Sequence, residues 1–321
     1  MHKQWLVGVA VFLSIAAPGV WAQTKGSKVI RRAQPPKFTA DRTFFSDAFK
    51  EGLVGERPAN LGQPATAVAA TGGNAAPMGG AAPAVVPAGS GWSTMISSGT
   101  IEDEIKATKL LLDQGVTTPS DFAGKGYKVA RRDFSMLAML FAIVSEYDGD
   151  VRWKANSTTA RDTFARTAAN AKVGTVQVFN EAKQRKAELQ DILNGSDPFT
   201  EKTAEPKNDW ATICDRAPLM QYLEKVWEPE MKPLLSDQAQ FNANADKLAH
   251  NAEMFAAIGE VLAKEGMMDA DSDEYKEFCQ RLRDAGKEIA DAARSKNFDA
   301  ASKASIEIGK SCTECHENYR S

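Results

Sequence analysis

The sequence predicts an all-α fold that closes with an antiparallel four-helix bundle. Apolar residues recur at alternating three- and four-residue intervals through most of the chain after Trp92. No segment sustains the period-two alternation of a strand. The last four periodic stretches are joined by short connections, for which an antiparallel bundle is the natural solution. The bundle is expected over 201–321, preceded by a further helical region over 96–200 and a disordered linker over 23–95.

With 321 residues the chain has room for about two domains. Its formal charge of −3 and the lack of a basic stripe argue against a nucleic-acid partner. Residues 1–22 read as a secretory signal peptide: Lys3 is the positive start, Trp5 to Ile15 the apolar run, and Val20-Trp21-Ala22 the cleavage site. An uncleaved anchor helix is the alternative, although the run falls short of the ~20 residues that a span needs. No later run is long enough to cross a membrane, so the mature chain is expected in the periplasm or an equivalent exported compartment.

From Gln23 to Gly91 the chain is rich in Ala, Gly and Pro and has little to bury, hence the linker. Within it, Phe44, Phe45 and Phe49 form an apolar island that reads either as a sticky turn or as a docking peptide. Thr100, with Asp103 three residues on, is expected to cap a helix that stops at Gly115. A second helix, Tyr127 to Tyr147, is apolar over so wide an arc that it must be deeply buried. A third, from Trp153 to Leu189, would be about 60 Å long if unbroken, and a break is expected near Gly174.

The four bundle helices follow. The first runs from Pro218 to Leu235, with Pro218 in its first turn and a kink at Pro229. The second carries Phe241, Leu248, Phe255 and Leu262, the third Tyr275, Phe278, Leu282 and Ile289, and the fourth Phe298, Ile308, Cys312, Cys315 and Tyr319. By helical phase, His250 and Met254 fall off the seam of the second, and His250 reads as solvated surface.

The chain ends in SCTECHENYRS. Cys-x-x-Cys-His is a haem-attachment pattern. Residues three and four apart share a helix face, so Cys312, Cys315 and His316 point to one side. Two thiols can then bond the two vinyl groups of a haem while His316 ligates the iron. A structural zinc site would need four protein ligands, and only three histidines exist, one of them in the leader. A disulfide within the motif is the other reading. Cys214 and Cys279, each near a helix start, are expected either to pair or to remain separately buried thiols. Pairing would close a loop of about 65 residues, worth roughly 4 kcal/mol.

The segment from Asp215 to Ser321, ending GKSCTECHENYRS, resembles cytochrome c prime and the other class II c-type cytochromes. That resemblance implies one covalent haem c, with Cys312 and Cys315 as thioether anchors, His316 as axial ligand and Arg320 as a cation near the imidazole. It also implies an arginine four residues before an apolar residue or methionine over the other haem face, which Arg216 and Met220 match. Arg132 and Met136 stand in the same relation eighty-four residues earlier, which suggests an old internal copy. The family is usually one small domain, and the extra helices here depart from it.

The expected function is single-electron transfer with an unidentified redox partner protein. The alternatives are a five-coordinate haem that binds a small gas such as nitric oxide or carbon monoxide, and a haem-bearing recruitment subunit. A homodimer is also admitted. No catalytic constellation is legible, so the chain is not read as an enzyme. Met220 either ligates the iron or lies over it as an apolar lid, and Pro218 and Pro229 favour the lid.

Overall fold

The computed structural model describes residues 91–200 and 207–320. The leader, most of the linker and the phenylalanine island lie outside the described residues. Every regular element described is helical. After a 3-10 turn at Trp92–Thr94 come α1 (Ser98–Gly115), α2 (Tyr127–Glu146), α3 (Ser157–Asn170) and α4 (Val176–Leu193). Then follow α5 (Arg216–Val226), α6 (Ala245–Leu262), α7 (Asp273–Arg294) and α8 (Phe298–Tyr319). Short turns occupy Pro119–Asp121, Trp210–Ile213, Lys232–Leu234 and Gln238–Ala243. No described helix is long and apolar enough to cross a membrane.

Local chemistry accounts for the boundaries. The cap of α1 is Ser97, not Thr100: Ser97 is extended, and its hydroxyl accepts from the Thr100 N–H at 3.2 Å. Thr100 is already inside the first turn. Residues 91–95, which the sequence placed in the linker, are folded. Trp92 is buried, and its ring N–H donates to Glu146 at 3.1 Å. The long third helix breaks into α3 and α4 where Gly174 presses against Ala123; a Cβ there would lie 2.7 Å from the Ala123 Cα. The first bundle helix is also shorter than its periodicity, because a π turn over Trp227–Met231, containing Pro229, interrupts it.

α2 is buried from Asp133 to Val144, and it packs on α1, α3 and α5. Phe134 and Phe141 meet Phe164 of α3 at ring-centroid distances of 5.8 and 5.6 Å. α6, α7 and α8 pack consecutively and antiparallel. Between α6 and α7, Gly259 faces Cys279 and Arg283 while Gly286 faces Ala252 and Ala256. Between α7 and α8, the Ser311 hydroxyl donates to the Phe278 carbonyl at 2.8 Å, and Tyr275 meets Tyr319 at 5.2 Å.

α6 is buried on more than its α7 face. Residues 251–259 are all buried, because α1 and α5 cover the side away from α7. Met254, off the α7 seam, is therefore core all the same. Glu253 is 4% exposed, accepts from the Ser97 N–H and hydroxyl, and pairs with Arg294. The Arg131 guanidinium joins Asp215, the N-cap of α5, at 2.6 Å.

The α6–α7 contact tolerates no added carbon. A Cβ on Gly286 would lie 2.7 Å from the Ala256 nitrogen and 2.8 Å from the Ala252 oxygen, both backbone atoms. Gly286→Ala is expected to destabilise by about 1–3 kcal/mol, as overpacking does. Urea unfolding followed by circular dichroism measures it, and an unchanged midpoint would show that the helices separate freely.

Candidate functional site

The motif occupies the last turns of α8, whose packing on α7 fixes its azimuth. Five contacts hold that end. The Tyr319 hydroxyl accepts from Ser272 at 2.8 Å and donates to Glu274 at 2.9 Å, and its ring sits edge-on to Tyr275 and Phe278. Arg281 pairs with Glu314. With α7 on this side, Cys312 and Cys315 are half-buried and His316 is exposed. α5 packs principally on α2 and more lightly on α6.

Arg216, at the first position of α5, is buried. Its guanidinium bonds Asp269 at 2.5 Å and lies 5.6 Å from the Tyr275 ring centre. Asp269 reaches it from a left-handed backbone at φ 65°, a conformation that aspartate tolerates better than most residues. Arg216 is close enough to Cys315 and Cys279 for its charge to favour their thiolates, although burial dominates both. Glu228 and Lys232 stand on the Cys312 side. Arg216, which the resemblance put beside the motif, lies near Cys315. Sequence reasoning missed Asp269, Tyr275 and Cys279, whose relevance depends on the α7–α8 register.

Met220, one turn along α5, is half-buried against the core. The competing Met136 is buried within α2, which packs on α1, α3 and α5 rather than α8. Arg320 is exposed at the C-cap of α8, four residues after His316.

All four cysteines are free thiols. Cys214 and Cys279 are the two separately buried thiols of the alternative reading, because Cys279 lies nearly two turns into α7 and faces Tyr275 and Cys315 rather than the end of the bundle. Burial pushes Cys312 up to about 11, with the neighbouring Cys315 adding to it, and burial also raises Cys315. Both thiols are protonated near neutrality. An exchange-active Cys-x-x-Cys pair needs the opposite, a lowered thiol pKa. Among the described residues, no three His, Cys, Asp or Glu side chains converge as a metal cluster.

Two features fit a haem on this face. One is the pair of half-buried neutral thiols with an imidazole one residue on. The other is Tyr275: its hydroxyl is buried without a well-formed hydrogen bond, beside Arg216 and Cys279. A buried polar atom left unpaired is uncommon and calls for an acceptor. Cys312 and Cys315 would anchor the group and His316 would reach its iron.

His250 is not solvated surface. It is half-buried, and its Nε2 donates to the buried Glu104 carboxylate of α1 at 2.9 Å. Helical phase placed it away from α7 correctly, but α1 occupies that side.

No family model, curated protein or solved structure matches this chain.

The His250 pair has a pH consequence. Burial opposes the imidazolium, but the Glu104 hydrogen bond and charge, with Asp103 and Glu253 nearby, outweigh it, and the net shift is upward. A raised folded value gives stability that is complete below the unfolded value of about 6.5 and lost as pH climbs through the folded one. The melting temperature of the wild type should therefore fall relative to Glu104→Gln as pH rises from below 6.5 into the alkaline range. A difference independent of pH would contradict the pairing.

Proposed function

We propose that this chain is an exported c-type cytochrome that carries one covalent haem on α8 and transfers single electrons to a partner protein. The observation that carries the reading is the placement of Cys312, Cys315 and His316 together in the last turns of α8, with both thiols half-buried, His316 exposed and Arg216 near Cys315. α5 to α8 would form the haem-bearing four-helix bundle, with residues 1–22 as the export leader. When bound, the haem supplies the one-electron iron couple; the chain supplies attachment, ligation and burial.

Cys312 and Cys315 would hold the haem through its two vinyl groups, each thiol adding across one double bond so that no atom is lost. His316, exposed one residue beyond Cys315, is free of competing hydrogen-bond partners among those described, which leaves its ring nitrogens available as donors to iron.

Met220 decides between the two haem readings. Half-buried on α5, it would cover a haem as an apolar lid, the reading that Pro218 and the π turn at Pro229 favour by restricting how α5 approaches. As a ligand it would instead make the iron low-spin and raise its potential.

Extraction of the purified protein with acidic acetone, followed by a denaturing gel stained for haem peroxidase activity, tests the reading. Haem is expected to stay with the polypeptide and to be lost in Cys312→Ser/Cys315→Ser. Pigment that leaves the wild-type chain would sink the proposal. In magnetic circular dichroism, Met220→Leu is expected to leave a high-spin spectrum unchanged. A methionine-to-iron charge-transfer band that disappears in the variant would establish Met220 as ligand.

A further inference from the structure

Tyr275 is the buried group that the reading so far leaves unexplained. It lies in the first turn of α7 and is 1% exposed. The Ser272 hydroxyl caps its backbone N–H, the edge of the Tyr319 ring packs on it, and the Arg216 guanidinium stands 5.6 Å from its ring centre. Its position is thus over-determined, while its hydroxyl lacks a well-formed hydrogen bond. Arg216 can only donate, so it can satisfy the oxygen but not the O–H. The Cys279 thiol also stands beside it, and sulfur is a weak acceptor. The unspent hydrogen therefore points to an acceptor supplied from outside the protein.

A haem is apolar over its ring, and the strong acceptors that it brings are its two carboxylates. On the reading that Cys312 and Cys315 hold a haem, we infer that the Tyr275 hydroxyl donates to one of those carboxylates, with Arg216 beside it as the cation. Asp269 already engages one nitrogen of Arg216. A guanidinium has five N–H donors, so the arginine can serve both anions. The aspartate would hold the arginine at the correct height before the haem arrives. Cys279 remains a thiol beneath the pair and takes no part in attachment.

The test uses the haem-loaded full-length protein and its Tyr275→Phe variant, after covalent haem content has been shown to be equal. Loss of a hydrogen bond to the haem should shift the carboxylate bending band in the resonance Raman spectrum and lower the melting temperature by about 2–4 °C. An unshifted band, with a melting temperature equal to or above the wild type, would mean that the hydroxyl was merely unpaired and would overturn the inference. If the variant does not fold, a crystal structure of the loaded wild type decides. A Tyr275 oxygen about 2.5–3.0 Å from a haem carboxylate supports the inference; two carboxylates turned away from Tyr275 refute it. Absence of covalent haem in the wild type would instead overturn the reading on which this rests.

Discussion

The close approach of α6 and α7 at Gly259 and Gly286 is the constraint on which the functional end depends. At these two positions a helix meets the backbone of its neighbour with no side chain between them. That contact fixes the azimuth of α7, and α7 in turn presents Tyr275, Phe278 and Cys279 toward α8 in one register. Cys315, four residues from both Ser311 and Tyr319, then falls on the α7-facing side of α8, near Cys279. Interior packing at two glycines is in this way linked to chemistry at the chain's last turns.

The extra helices change what the later helices experience. With α1 against its outer side, α6 is buried around most of its circumference and must hold charge in its interior. Glu253 and His250 are paired with Ser97, Arg294 and Glu104, which come from distant parts of the sequence. Such pairing costs desolvation and returns a specific arrangement; removal of one partner leaves a buried charge exposed to no solvent. The arrangement ties the helices between 96 and 200 to those after 215 within one packed unit, as does the Arg131–Asp215 pair at the entrance to α5.

Helix existence and most boundaries were legible because they follow from periodicity and local capping. α2 reads as buried all round, and Gly174 reads as a break, directly from the residues. What failed has one physical source: seam logic assumes a helix with one buried face. His250 and Met254 lie correctly off the α7 seam, yet α1 and α5 cover the other side. Thr100 was misread because Ser97 offers the same chemistry three residues earlier. In the site, Cys312, Cys315 and His316 were legible because their relation is local to one helix. Tyr275 and Asp269 are not local, and nothing in their own segments marks them; they acquire meaning only once α7 and α8 are paired and Arg216 is brought across.

The central claim is that both cysteines of α8 are bonded to one macrocycle, and peptide mass measures it most directly. Trypsin cuts after Lys310 and Arg320, releasing 311–320. Mass spectrometry after alkylation without reduction should find this peptide heavier by one intact haem, with neither Cys312 nor Cys315 alkylated. A peptide carrying two alkyl groups, or one lighter by two hydrogens as a disulfide, would contradict the account.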